Sequence, residues 1–174
     1  VLVRLTKIEA ERGLRVLLPN GGPANGATLF LLDSISSVPI WRSACDSEGW
    51  VGIPDIDAAW FALTHSQAGF VVRPFPDHHD PESEEIVRMP PKGNMLTLKL
   101  VDPVGSGVQQ ARYAIWIDGV RLVYPLTYML MPNSRPFSDE SGLIHLDGLP
   151  VGDFEIVASS LRFHEDLLAG AFDR

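Results

Sequence analysis

The sequence predicts an all-β protein made of two tandem antiparallel β-sandwich domains of Greek-key type, at residues 1–91 and 92–174. Three observations predict this class. Short apolar runs of strand length are bounded by glycine and proline turns. One unit of sequence recurs after about ninety residues. Of the 174 residues, 45% are hydrophobic, which is enough to build packed cores.

The predicted strands follow from alternating apolar residues between turn signals. In the first unit they are 14–18, 28–32, 50–53, 59–65, 70–73 and a closing strand at 86–89. In the second unit they are 96–101, 114–117, 142–148 and 152–158. The segment 163–172 is the one for which the pattern allows a short helix.

The internal repeat is carried by turn formers and strand residues. Asp46-Ser-Glu-Gly49 recurs as Asp139-Glu-Ser-Gly142, and Asn25-Gly-Ala27 recurs as Gln109-Gln-Ala111. The spacing between matched segments grows by roughly nine residues between the two motifs, which predicts a surface insertion around 120–136. Aspartate in such a turn accepts backbone N–H groups and glycine supplies the positive φ, so the repeated motif shapes the backbone.

The first residues of the chain match a strand that closes the first unit. Leu2-Val-Arg-Leu5 corresponds to Ile86-Val-Arg-Met89. Residues 1–5 are therefore expected to be the closing strand of a preceding repeat, and the chain to be a piece of a longer tandem array. The alternative is that residues 1–5 pair at an edge of the first unit, where an open strand would promote association.

The second unit resembles the carboxypeptidase regulatory-like, or transthyretin-like, domain. The resemblance lies in Asp139-Glu-Ser-Gly142, the turn Gly148-Leu-Pro-Val-Gly152 and the strand that follows. The first unit keeps Asp46-Ser-Glu-Gly49 but has Pro54-Asp-Ile-Asp-Ala-Ala59 in place of the second turn. The resemblance implies a non-catalytic β-sandwich in a larger bacterial protein that is extracellular, periplasmic or on the cell surface.

Charge and composition argue against several classes of protein and of functional site. A net charge of −8 argues against a nucleic-acid partner, because no basic patch is available to neutralise phosphates. The single cysteine, Cys45, excludes an intrachain disulfide and a thiolate zinc cluster. No apolar run approaches the roughly 20 residues of a membrane span. There is no phosphate-binding glycine loop and no Gly-x-Ser-x-Gly motif, and no cofactor is predicted.

One acidic, histidine-containing segment is a candidate metal site. Residues 76–85 hold two histidines and five carboxylates, and the candidate ligands are Asp77, His78, His79 and Asp80. Neighbouring residues of an extended loop point to opposite sides, so a solvated loop is the commoner explanation. The alternative is a weak divalent-ion site, which would support a metal-dependent hydrolase.

Aromatic residues are candidates for a sugar-binding surface. Trp41, Tyr124 and Tyr128 are expected to be exposed, whereas Trp116 lies in an apolar strand and is expected in the core. Exposed aromatic faces mark ligand or partner surfaces.

The sequence thus favours a non-catalytic accessory or spacer segment whose partners are neighbouring domains of the same polypeptide. The alternative is a carbohydrate-binding module, with a polysaccharide or another protein as partner. A metal-dependent hydrolase is the remote third hypothesis.

Overall fold

The computed structural model describes residues 12–33, 38–56, 58–75, 85–93, 95–150, 152–160 and 163–171. Within these ranges the chain forms thirteen β-strands and one short helix, so the predicted all-β class is confirmed. The strands of the first half are β1 Arg12–Leu17, β2 Thr28–Leu32, β3 Pro39–Ala44, β4 Trp50–Ile53, β5 Trp60–Thr64, β6 Val71–Pro74 and β7 Glu85–Arg88. The elements of the second half are β8 Leu96–Lys99, β9 Arg112–Ile117, β10 Val120–Leu122, α1 Leu126–Leu130, β11 Leu143–Leu146, β12 Glu155–Ser160 and β13 Phe163–Ala171.

The first half forms two sheets that enclose an apolar core. One sheet has the order β4-β1-β7 and the other has the order β3-β2-β5-β6. All these pairs are antiparallel except β1 and β7, which run parallel. Leu14 and Val16 of β1 face Leu29 and Leu31 of β2 across this core, which we call the first core.

The second half repeats this strand order. β11-β8 takes the place of β4-β1, and β10-β9-β12-β13 takes the place of β3-β2-β5-β6. Backbone hydrogen bonds correspond as well. The amide of Val16 donates to Gly49 O at 2.8 Å, and the amide of Leu100 donates to Gly142 O at 2.8 Å. The halves differ in that no described strand of the second half occupies the position of β7.

Aspartate-centred turns are alike in the two halves. Asp46 accepts from the backbone N–H groups two and four residues later, at 2.9 and 2.9 Å. Asp139 does the same at 2.8 and 2.9 Å, and Asp102 at 3.0 and 2.8 Å. The aspartate carboxylate thereby accepts hydrogen bonds from backbone N–H groups of the turn that have no backbone acceptor.

These hydrogen bonds predict a pH dependence. The N–H of Leu143 is the main cause that holds the pKa of Asp139 below its ordinary 3.8, and the N–H of Ser141 adds to it. Because the folded-state pKa is depressed, the stabilisation is present above the ordinary value and lost as the pH falls through the folded value. We expect Asp139→Ala to lower the free energy of unfolding at neutral pH, and we expect its difference from wild type to shrink as the pH falls through the folded-state pKa of Asp139. Urea titrations across this range, with the exposed Glu140→Ala as control, measure the effect; a difference that is constant with pH would contradict it.

The sheet β3-β2-β5-β6 is covered on both faces at its centre. Leu29 and Leu31 lie in the first core, whereas Phe30 and Leu32 of the same strand lie in a second apolar cluster. This cluster, which we call the shared core, joins both halves. From the first half it contains Phe30, Leu32, Ala62, Phe70 and Val72, and from the second half Tyr113, Ile115, Ile117, Val120, Leu122, Leu126, Leu130, Met131, Ile144, Leu146, Leu149, Ile156 and Ala158.

In the second half, two expectations from the sequence are wrong. The segment 163–172 was open to a helical interpretation, but 163–171 is strand β13, because pairing along β12 satisfies its backbone. Trp116 was expected in the core but is exposed, since Ile115 and Ile117 take the inward positions of β9 and Trp116 lies on the outer face. Among the described helices, none is long and apolar enough to cross a membrane.

Candidate binding surface around the insertion

Helix α1 forms inside the predicted insertion and presents two tyrosines to solvent. Leu126, Thr127 and Leu130 are its buried residues. Tyr124 and Tyr128 are 60% and 51% exposed, in agreement with the expected exposure of both residues. The helix is missing from the sequence prediction, although proline at its start and apolar residues four apart are signals for it.

Trp41 is partly buried against the first core, so its expected exposure is wrong, and it does not join the tyrosines. It pairs directly with Leu31, and both contact the first core. Leu126 and Leu130 of α1 lie in the shared core with Phe30, on the opposite face of the same sheet. Side chains of directly paired residues point to the same face, so the sheet separates Trp41 from α1.

A groove of about 530 Å³ lies between the first half and the segment that follows α1. Met129, the neighbour of Tyr128, lines it, and so do His65, Lys92, Asn133 and Asp147. Its walls therefore combine apolar surface with donors and acceptors, a mixture that suits a small polar ligand.

The polar groups of the groove hold one another in place. Asn133 Nδ2 donates to Asp147 Oδ2 at 2.8 Å, and Lys92 Nζ lies 3.4 Å from the same oxygen. The Asn133 hydrogen bond and then the Lys92 charge lower the pKa of Asp147. His65 Nδ1 accepts from the amide of Gln67 at 3.2 Å, which assigns the proton to Nε2, 3.1 Å from Asn25 O. The groove thus offers fixed hydrogen-bonding groups and a carboxylate that stays ionised at neutral pH.

The most strongly perturbed groups elsewhere are structural. Burial, with a smaller effect of Asp46, raises the pKa of the Cys45 thiol to about 11, so the reactive thiolate is disfavoured. Burial raises the pKa of Tyr113 to about 12, and its hydroxyl donates to Arg135 O at 2.8 Å. Neither group is poised for acid, base or nucleophilic chemistry at neutral pH.

The candidate metal ligands Asp77, His78, His79 and Asp80 lie outside the described residues. In the part of the chain that the structure describes, no group of three or more histidine, cysteine, aspartate or glutamate side chains is placed to hold a metal ion. The metal site stays a prediction.

The fold and this surface define the chain as a β-sandwich protein. No protein-family model matches it. A search of curated proteins likewise finds no match. Membership of the transthyretin-like family stays a prediction.

Solved structures resemble it distantly. The Bacillus anthracis TIE protein is 14% identical with a TM-score of 0.39, over 92% of this chain and 30% of that one. A streptococcal ancillary pilin is 10% identical with a TM-score of 0.38, over 93% and 58% of the two chains. The minor pilin GBS52 of Streptococcus agalactiae is 12% identical with a TM-score of 0.38, over 94% and 91%. The chain thus spans less than two thirds of the first two proteins.

Proposed function

We propose that this chain is a non-catalytic spacer segment of a larger secreted or cell-surface protein. In this proposal its two β-sandwich units, residues 1–91 and 92–174, are fixed to each other and set the distance between neighbouring domains. The observation that carries the proposal is the shared core, which takes apolar side chains from both halves.

A spacer holds a distance only if its units do not rotate freely. Domains joined by a flexible linker move relative to each other unless a large apolar interface fixes them. Here Phe30 and Phe70 of the first half are buried in one cluster with Ile115 and Leu126 of the second half. Rotation of one unit against the other would expose these side chains to water at a cost of roughly 25 cal/mol per Å².

The connection between the units is also packed. The amide N–H of Gly69 donates a hydrogen bond to Pro90 O at 3.0 Å. If Gly69 carried a Cβ, this atom would lie only 2.7 Å from Pro91 O. On the other side, a Cβ at Gly93 would overlap Leu149 O. The connecting segment therefore lies against both halves, which suits a rigid spacer.

Calorimetry of the whole chain tests this proposal. We expect one unfolding transition in which the calorimetric and van't Hoff enthalpies agree. Phe70→Ala should destabilise the chain by about 3 kcal/mol, because it removes a ring from the shared core. It should also raise the ratio of the calorimetric to the van't Hoff enthalpy, because the two units then unfold less cooperatively. Phe61→Ala is the matched control, since Phe61 lies in the first core and its loss should leave the ratio unchanged. Two separate transitions in the wild-type chain would overturn the proposal.

A second candidate function is binding of a carbohydrate at the insertion. The exposure of Tyr124 and Tyr128 favours it, because exposed aromatic rings can pack on the apolar face of a sugar ring. Retention of the chain in gels containing a polysaccharide tests it. Tyr128→Ala should abolish retention, while Tyr113→Phe, which alters a buried tyrosine, should not. Absence of retention on every polysaccharide tried would count against this function.

A further inference from the structure

Gly26 and Gln110 occupy equivalent positions in the two halves. The amide of Gly26 donates to Cys45 O at 3.1 Å, and the amide of Gln110 donates to Ser138 O at 3.1 Å. Both residues have a positive φ, +78° at Gly26 and +58° at Gln110. The same backbone turn therefore carries a side chain in the second half and none in the first.

Glutamine is a costly residue at this position. The left-handed region disfavours residues with a Cβ, and glycine adopts it without strain. The side chain of Gln110 is exposed and forms no hydrogen bond among the described residues, so it does not stabilise the turn in return. Backbone strain of this kind concentrates at functional sites. The exposed amide group of Gln110 is therefore a candidate for contact with a ligand.

Phe137 is a second side chain that only the second half carries. Thr28 pairs with Ala44 in the first half, and the equivalent pair in the second half is Arg112 with Phe137. Phe137 is 40% exposed, and the guanidinium carbon of Arg112 lies 5.8 Å from its ring centroid. An aromatic ring thus lies on the surface where the first half has a methyl group.

Gln110 and Phe137 line one surface pocket of about 510 Å³. Gln109, Arg135 and Glu140 line it as well. Within the described part of the chain, the side chains of these last three residues form no hydrogen bond or ion pair with one another or with other residues. The pocket therefore combines an exposed ring with hydrogen-bonding groups that the fold does not use.

The walls of this pocket are held together by buried hydrogen bonds. Ser138 is 4% exposed, and its hydroxyl donates to Val108 O at 2.6 Å and accepts from the amide of Ala111 at 2.9 Å. The hydroxyl of Tyr113 donates to Arg135 O at 2.8 Å. A pocket that is already formed loses little conformational freedom when a ligand binds.

Charges of both signs border the pocket. Arg135 and Arg112 are positive, and Asp139 and Glu140 are negative. A pocket that selects an anion or a cation carries an excess of the opposite charge. The balance here favours a neutral ligand that has both donors and acceptors.

We propose that this pocket binds one ring of a neutral saccharide. The ring of Phe137 packs on the apolar C–H face of the sugar. The amide groups of Gln109 and Gln110 each donate to and accept from neighbouring hydroxyls. This inference goes beyond the spacer function and beyond the surface of Tyr124 and Tyr128, because it assigns a ligand to a different part of the chain.

The expected affinity is low. One sugar ring has about a dozen non-hydrogen atoms and lies in an open pocket, so we expect a millimolar Kd. Binding of this strength is measured by nuclear magnetic resonance, in which each shifted amide signal also reports where the ligand lies.

Titration of the isotope-labelled full chain with glucose, galactose and N-acetylglucosamine tests the inference. At least one of these sugars should shift the amide signals of Gln110, Phe137 and Ser141 to saturation. Sorbitol, an open-chain polyol without a ring face, should not. Absence of saturation with all three sugars up to about 0.2 M, or equal shifts with sorbitol, would rule out the site.

Three variants locate the binding. Phe137→Ala should weaken binding at least about fivefold, whereas Trp116→Ala should change it less than about twofold. Trp116 is a matched control, because it is 38% exposed and does not line the pocket. Gln110→Gly should weaken binding at least about threefold without lowering the urea midpoint, since glycine suits the positive φ.

Undiminished binding by Phe137→Ala would contradict the inference. So would a Gln110→Gly variant that loses stability and keeps its affinity, because the glutamine would then serve the fold. Neither result would affect the single unfolding transition of the rigid spacer or polysaccharide retention through Tyr128, since neither of these involves the pocket.

Discussion

Gly142→Ala is expected to destabilise the chain by about 3 kcal/mol or more, beyond the usual cost of replacing a glycine at positive φ. Gly142 has a φ of +79°, in the left-handed region. A Cβ there would overlap Leu100 O and would lie 2.8 Å from the amide nitrogen of Val108. These backbone atoms cannot move without breaking the sheet at β8, so the chain cannot relieve the overlap by a small rearrangement. Urea unfolding gives the change as a lower midpoint.

Gly105→Ala is the matched control. Gly105 has a φ of +86°, but a Cβ there would meet nothing within 4 Å. Its replacement isolates the conformational cost, about 1 kcal/mol. Gly49, the equivalent of Gly142 in the first half, has the same close contact with Val16 O and should behave like Gly142. Equal losses for Gly105→Ala and Gly142→Ala would show that the close contact contributes nothing.

Phe61→Ala is expected to lower the free energy of unfolding by about 3–5 kcal/mol. Phe61 is 1% exposed in the first core, and its ring meets that of Phe75 edge-to-face, with centroids 6.2 Å apart. The variant loses apolar burial and this aromatic contact, and it leaves a cavity that the flanking strands cannot fill. Chemical denaturation of both proteins measures the difference.

Phe137→Ala is the corresponding control on the surface. Phe137 is exposed, and the guanidinium carbon of Arg112 lies 5.8 Å from its ring centroid. Its loss should cost at most about 1 kcal/mol, the value of an exposed cation–π contact. If Phe61→Ala were no more costly than this, the first core would not be a main source of stability.

Much of the fold could be predicted from the sequence because local signals agree with it. β2 and β4 have the predicted bounds, since each is an apolar run between clear turns. The aspartate turns were also predictable, because aspartate and glycine at fixed spacing define the turn without any distant contact. Edge strands β3 and β10 and helix α1 were not predicted. β3 contains proline and arginine and is held by pairing with β2, which local sequence does not reveal.

The candidate site was predictable only in part. The exposure of Tyr124 and Tyr128 could be inferred because they lie in an insertion. The groove could not be predicted, because His65 and Asp147 come from different halves and line the same groove only after the shared core forms. Burial of β2 on both faces was not predicted for the same reason. Phe30 lies in the shared core and Leu31 lies in the first core, and only tertiary packing creates two cores on opposite faces of this strand.

The parallel pairing of β1 and β7 has a mechanical consequence. The first residue of β1, Arg12, and the last residue of β7, Arg88, lie at opposite ends of this pair. Tension applied between them acts along the strands, so the inter-strand hydrogen bonds are loaded together in shear and do not open one after another. A chain pulled through these two points would resist extension at the β1–β7 pair before its turns could straighten.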